Sequence, residues 1–322
     1  MEQLSVIVES LCLQGTGNLA VSLQRPTPGE PLPEWQAGAH IDVHLAPGLI
    51  RQYSLTGSDE DRHRYHICVA LDAASRGGSR YIHQQLRPGD RLTISPPRNL
   101  FALQPAKRVV LIAAGIGITP LYAMALQLEK QGIAFTLHYY CRRAEQAAYR
   151  QALSGDWHYG RCHLWYSDKG NSPRQHIAAD VTEPQDDTLI YLCGPEGFMQ
   201  HQQAVALAYG WPAQAIYTEA FKPAALTEQS GDNGSFMITL ASTGQQWPVA
   251  PSQTIAEVLI EQGVSVPLSC EMGMCGACLT GVTAGVVDHR DTVQSEEEKT
   301  AARQQIALCC SRSHSDVLVL DL

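Results

Sequence analysis

The sequence predicts a multidomain chain with a small antiparallel β-barrel first, a doubly wound α/β domain second and a compact α+β domain last. Three observations predict it. Near Pro105 the hydrophobic pattern changes from short alternating runs to longer apolar runs separated by amphipathic segments. A polar stretch containing glycine and proline, residues 222–235, then interrupts the chain. Five of the ten cysteines fall at or after position 270. The expected domains are residues 1–104, 105–226 and 235–322.

Composition narrows the function. A chain of 322 residues with 44% apolar and 17% charged side chains folds, and around more than one core. A net charge of -9 argues against nucleic acid as the main partner. No apolar run is long enough to span a bilayer, and "MEQLSVIVESLCLQG" lacks the basic start and long apolar stretch of an export signal. A cytoplasmic location is therefore expected, with reduced cysteines free to bind metal.

In the first region, "AHIDVHLA", "RYHICVAL" and "RLTISPP" alternate and are bounded by Gly, Pro and Asp, as strands are; "RPGD" at 87–90 is a turn. Short strands with frequent turns make a small barrel. In "RQYSL", alternation puts Arg51, Tyr53 and Leu55 on one face and Gln52 and Ser54 on the other. Arg51 could clamp a phosphate, Tyr53 could stack on a flat ring, and Ser54 could donate to a ring nitrogen or carbonyl. Taken alone, the segment reads as an ordinary strand with one surface arginine. "SRGGSR" precedes the helical "YIHQQL". Gly77, Gly78 and Ser79 at a helix start combine exposed N–H groups, a positive dipole end and a hydroxyl, which suits an anion.

The second region opens on "RVVLIAAG", a continuous apolar run typical of a parallel strand buried on both faces. "TPLYAMALQLEKQG" follows as a helix stopped by Gly132. Next come a strand "AFTLHYYC", a helix around "AEQAAYRQAL", a strand "CHLWYS", and a strand "TLIYLCG" running into the helix "PEGFMQHQQAVALAYG". Strands alternating with helices give a parallel sheet. In "AAGIGITP", Gly115 and Gly117 fit two positions of a dinucleotide-binding glycine turn, the third glycine is absent, and Thr119 and Pro120 open the helix. "CGPEGF" places Cys193, Gly194 and Pro195 at the C-terminal end of a later strand, where open α/β sheets bind ligands. Arg142 or Arg143 could meet a 2′-phosphate, whereas Asp168 could accept ribose hydroxyls and repel a phosphate. By themselves, Cys193 reads as a buried thiol and Phe221, in "TEAF", as core.

The third region has a strand "FMITLAS", a helix "TIAEVLIEQG", the stretch "CEMGMCGAC" and a closing strand "DVLVLDL". Cys270, Cys275 and Cys278 have the C-x4-C-x2-C spacing of a plant-type 2Fe-2S site, which a distant fourth cysteine completes; Cys309 and Cys310 are the downstream candidates. Gly273 and Gly276 let the backbone close round a cluster and aim N–H groups at its sulfurs. A structural zinc site usually pairs two close C-x-x-C knuckles, and only one short pair is present here.

These motifs together resemble the phthalate dioxygenase reductase type of the ferredoxin–NADP reductase superfamily, over essentially the whole chain. R-x-Y-S with the later G-G-S resembles its flavin barrel, G-x-G with C-G-P its pyridine-nucleotide domain, and the last ninety or so residues a plant-type ferredoxin of β-grasp fold. The resemblance implies that Arg51, Tyr53, Ser54, Gly77, Gly78 and Ser79 hold FMN. It places Gly115, Gly117, Thr119, Asp168, Cys193, Gly194 and Pro195 at NADH, with Thr119 near the flavin–nicotinamide contact and Phe221 near the flavin. Cys309 becomes the fourth ligand beside Cys270, Cys275 and Cys278. It also implies a place as the reductase of a two-component Rieske non-haem iron oxygenase, with close relatives serving vanillate-type O-demethylases, carnitine-type monooxygenases and phthalate-type dioxygenases.

The chemistry explains the combination. NADH gives up two electrons together, an iron–sulfur cluster takes one, and a flavin does both, so no acid–base pair is expected. An FAD reductase of another monooxygenase system would more often carry its ferredoxin domain first. A non-enzymatic iron–sulfur or zinc protein would not keep intact flavin and nucleotide segments.

Overall fold

The computed structural model describes residues 3–46, 49–73, 75, 77–221, 234–268, 271, 273, 276–291 and 293–322. They form two compact units, residues 1–221 and 222–322. Most of the expected linker at 222–235, and the expected ligands Cys270 and Cys275, lie outside the described residues.

The first unit opens with strands β1 (Leu4–Leu13), β2 (Asn18–Gln24), β3 (Ala39–Ala46), β4 (Leu49–Ser54) and β5 (Arg64–Ala70). Helix α1 (Gly78–Gln84) and strands β6 (Arg91–Ile94) and β7 (Arg98–Asn99) follow. The order is β4-β3-β6-β1-β2-β5, all antiparallel, with β7 paired to β3. A bridge between Thr56 and His66 links the two outer strands' ends and nearly closes the barrel. The alternation does the work: Val6, Val8, Val21, Leu23, Ile41, Val43, Ile67 and Ile94 all point inward and are buried. Helix α1 is anchored by buried Ile82 and by His83, whose Nε2 lies 2.8 Å from the Val69 carbonyl.

The same unit continues with β8 (Arg108–Ala114), α2 (Ile118–Gln131), β9 (Ala134–Cys141), α3 (Arg150–Leu153), β10 (Gly160–Tyr166), α4 (Ala179–Thr182), β11 (Thr188–Cys193), α5 (Glu196–Ala208) and β12 (Ile216–Glu219). The sheet is wholly parallel in the order β10-β9-β8-β11-β12. The direction of winding reverses between β8 and β11, which makes their C-terminal ends the switch point. Gly132 ends α2 as expected, in the left-handed region at φ 70°.

The helix expected around 144–153 is not continuous. A 3-10 turn at Ala144–Gln146 and the single turn α3 stand in its place. The cause lies in the barrel. Its β1–β2 turn takes the carbonyls a helix would need: Thr16 N–H donates to Glu145 at 2.6 Å, and Asn18 Nδ2 to Gln146 at 2.9 Å. Tyr149 then adopts φ 56° and stacks its ring on Tyr122 at 4.7 Å.

The second unit contains β13 (Phe236–Leu240), β14 (Gln246–Val249), α6 (Ile255–Glu261), β15 (Leu279–Ala284), β16 (Val287–Asp288), α7 (Glu296–Lys299), β17 (Gln305–Ala307), β18 (Arg312–Ser313) and β19 (Val317–Leu320). The main sheet runs β14-β13-β19-β15-β17, with β13 and β19 parallel, and β16 pairs with β18. Thr254 and Glu257 cap α6 reciprocally, and its Ile255, Ala256, Val258 and Leu259 are buried. This is a sheet grasping one helix. No helix among the described residues is long and apolar enough to cross a membrane.

Candidate cofactor sites

The barrel brings Arg51 to the glycine turn. Gly77 sits at φ 100°, a conformation that β-carbon-bearing residues avoid, and starts α1. A Cβ on Gly78 would fall 2.6 Å from Arg51 Cγ, so the arginine stem lies directly on this glycine. Arg51 Nη1 donates to the Ile50 carbonyl at 2.7 Å. Ser79 Oγ accepts from Asp72 N–H at 3.2 Å, and Ser75 Oγ from Gly77 N–H at 3.2 Å. Tyr53 is half-buried, and burial holds its phenol well above the ordinary range; Ser54 is buried on the opposite face of β4. A guanidinium laid over a Gly-Gly-Ser helix start, with Gly78 buried beneath the arginine stem, is a cradle for a phosphate, and Tyr53 supplies a neutral ring beside it. These residues fit a mononucleotide flavin.

At the switch point two turns press together. A Cβ on Gly117 would lie 2.7 Å from the Gly194 amide nitrogen and closer still to the Cys193 carbonyl. Around Gly115, at φ 56°, an added Cβ would meet open space, so this turn has a free side. Thr119 is buried in the first turn of α2, and its hydroxyl donates to the Ile116 carbonyl at 3.1 Å. Pro195 begins α5. Asp168 follows β10 and donates its N–H to the carbonyl of Arg142, just after β9, at 3.1 Å, so the two loops are joined backbone to backbone. Phe221 stands beyond β12 with 40% of its surface exposed, an unusual position for a core aromatic. Backbone turns meeting beyond adjacent parallel strands fit a dinucleotide.

Cys193 has no exposed surface, and burial together with the nearby Glu219 pushes its thiol far up, so it is a neutral thiol and no nucleophile. Glu219 was not singled out from the sequence. It is Cys193's direct partner across the parallel β11–β12 register, and burial raises its carboxyl to about 8. Its Oε2 is buried with no hydrogen-bond partner among the described residues. The available signal was the "TE" at the end of an apolar strand preceding Phe221.

In the second unit Cys278 and Cys309 are both buried and within thiol hydrogen-bond reach of each other. Gly273 turns at φ 74° and sends its N–H to the Cys309 sulfur, while Gly276 turns at φ 73°. The Cys310 sulfur is also within hydrogen-bond reach of Cys309, packed against the Gly273 backbone and 3.8 Å from Ser311 Oγ. Converging sulfurs, one already receiving a backbone N–H from a glycine-turned loop, fit a thiolate-held cluster.

The chain is similar to known proteins over most of its length. Residues 238–313 match the family of 2Fe-2S iron-sulfur cluster binding domains, and residues 111–204 that of oxidoreductase NAD-binding domains. The chain is 45% identical over 289 residues to the vanillate O-demethylase oxidoreductase of Pseudomonas putida, covering 89% of this chain and 90% of that protein. It is 37% identical over 301 residues to the carnitine monooxygenase reductase subunit of Escherichia coli, covering 92% and 91%. Among solved structures it is similar to phthalate dioxygenase reductase, described as a modular structure for electron transfer from pyridine nucleotides to [2Fe-2S]. The TM-score is 0.72 and the identity 33%, over 99% of this chain and 98% of that one.

Proposed function

The chain belongs to the phthalate dioxygenase reductase-type family of electron-transfer oxidoreductases, and from that premise we propose that it is the NADH-dependent reductase of a two-component Rieske non-haem iron oxygenase. The observation that carries the reading is end-to-end likeness, in one chain, to reductases of oxygenase systems. Bound at Arg51 and the Gly77–Gly78–Ser79 turn, FMN would supply the exchange between the paired electrons of NADH and the single electrons that a 2Fe-2S cluster accepts.

The chain's own residues bind and orient. Arg51 and the Gly77–Gly78–Ser79 turn hold the flavin phosphate, while Tyr53 and Ser54 meet the ring system. Gly115 and Gly117 would admit the dinucleotide, Thr119 and the buried Cys193 would lie close to the nicotinamide, and Phe221 would lie near the flavin. Asp168 accepts ribose hydroxyls and disfavours a 2′-phosphate. Cys270, Cys275, Cys278 and Cys309 hold the iron. A reducing compartment such as the cytoplasm would keep these thiols available to iron.

The test is reconstitution. The purified protein should show flavin and iron–sulfur bands that NADH bleaches anaerobically, release FMN on extraction, and support NADH- and oxygen-dependent turnover of vanillate or carnitine-like substrates with candidate oxygenases. Recovery of FAD, or a far better donor in NADPH, would overturn the corresponding assignment.

A further inference from the structure

Behind the cluster loop lies a carboxylate that no step above uses. The Asp291 side chain has 0% exposure. Its Oδ2 accepts from Gln294 N–H at 3.0 Å, and its Oδ1 from Gln294 Nε2 at 3.1 Å and from Ser311 Oγ at 3.3 Å. Three donors converge on it, the pattern of an ionised, acceptor-only carboxylate. Among the described residues no lysine or arginine pairs with it: the neighbouring Arg290 is engaged with Asp288 at 2.6 Å, and the nearest ring nitrogen is His289 Nδ1 at 3.5 Å.

Its place in the chain's geometry is specific. A Cβ on Gly273 would fall 2.9 Å from Asp291 Cα, and Val293 N–H donates to the Gly273 carbonyl at 3.1 Å. Gly273 lies between Cys270 and Cys275, and Ser311 lies two residues after Cys309. Asp291 thus touches both segments that carry cluster ligands. An asparagine has one acceptor oxygen, and its Nδ2 would face a donor on the other side, so the three contacts specify a carboxylate. Burying an anion beside an anionic cluster is electrostatically unfavourable, and the penalty grows when the cluster gains an electron.

We propose that Asp291 is a positioning residue that ties the two ligand-bearing segments together, and that its buried charge holds the cluster's reduction potential down. The proposal rests on the 2Fe-2S assignment, which the wild-type spectrum and iron and sulfide content check separately. The experiment is redox titration of the full-length protein, followed by the cluster's EPR signal, for the wild type, Asp291→Asn and Ser311→Ala. Asp291→Asn should raise the reduced-to-oxidised ratio at a fixed ambient potential about tenfold, equal to about 59 mV for a one-electron couple. Ser311→Ala removes one donor from the carboxylate, leaves its charge less compensated, and should shift the potential the other way. An Asp291→Asn protein that keeps its cluster with an unchanged potential overturns the proposal. Should Asp291→Asn lose the cluster, Ser311→Ala decides: a downward shift supports the charge role, and an unmoved potential overturns it.

Discussion

Gly117 and Cys193 meet backbone to backbone where β8 and β11 end, with no room between them for a single methyl group. The contact holds the two ligand-facing turns at a fixed separation. Its closest neighbours are main-chain atoms, which cannot rotate aside as a side chain can.

Gly117→Ala should therefore cost about 1–3 kcal/mol through overpacking and spread the turns apart. Thermal unfolding measures the first effect. Stopped-flow reduction of the flavin by NADH measures the second, and the rate should fall while the cluster spectrum stays unchanged.

Gly78 is tight in a different way, because its neighbour is the Arg51 stem. Gly78→Ala should push the guanidinium off the glycine turn without unfolding the barrel. Losing a charge-assisted hydrogen bond costs about 1.5–3 kcal/mol, so flavin affinity should drop roughly 10- to 100-fold. Flavin retained after gel filtration, with the melting temperature of the apoprotein as control, reports this. Equal retention in variant and wild type would remove Arg51 from the phosphate site.

Cys309 and Cys310 are neighbours in sequence and their sulfurs lie within hydrogen-bond reach of each other; the Cys309 sulfur also reaches Cys278, and the Cys310 sulfur packs against Gly273 and Ser311. Cys309→Ala should abolish the cluster's visible absorption and iron content, and Cys310→Ala should leave both. The reverse result would exchange their roles.

These contacts show what a single sequence can reveal. Strands and helices whose causes are local were legible: the alternation of β3 and β5, the apolar run of β8, and the glycine that ends α2. The break at Tyr149 was hidden, because the donors that capture Glu145 and Gln146 sit in another sheet more than a hundred residues earlier. The glycine turns and cysteine spacing announced their chemistry through composition. Glu219 and Asp291 did not, since each matters through what tertiary register sets beside it: Cys193 for one, Gly273 and Ser311 for the other.

Glu219 leads to a prediction about pH. Its folded-state carboxyl is raised to about 8 by burial, well above the ordinary value of 4.5. Between these values the folded chain keeps the proton and the unfolded chain gives it up. The unfolded state then binds fewer protons, so stability falls as pH rises, by at most about 1.4 kcal/mol per pH unit from this group. Below pH 4.5 both states are protonated and the contribution is level; above about 8 both are ionised, and the full cost of a buried charge is present. Glu219→Gln keeps the shape and removes the ionisation. Its melting temperature should match the wild type near pH 5 and exceed it increasingly toward pH 8. Parallel profiles for the two proteins would mean that Glu219 does not hold a proton at neutral pH, and that a partner stabilises its charge.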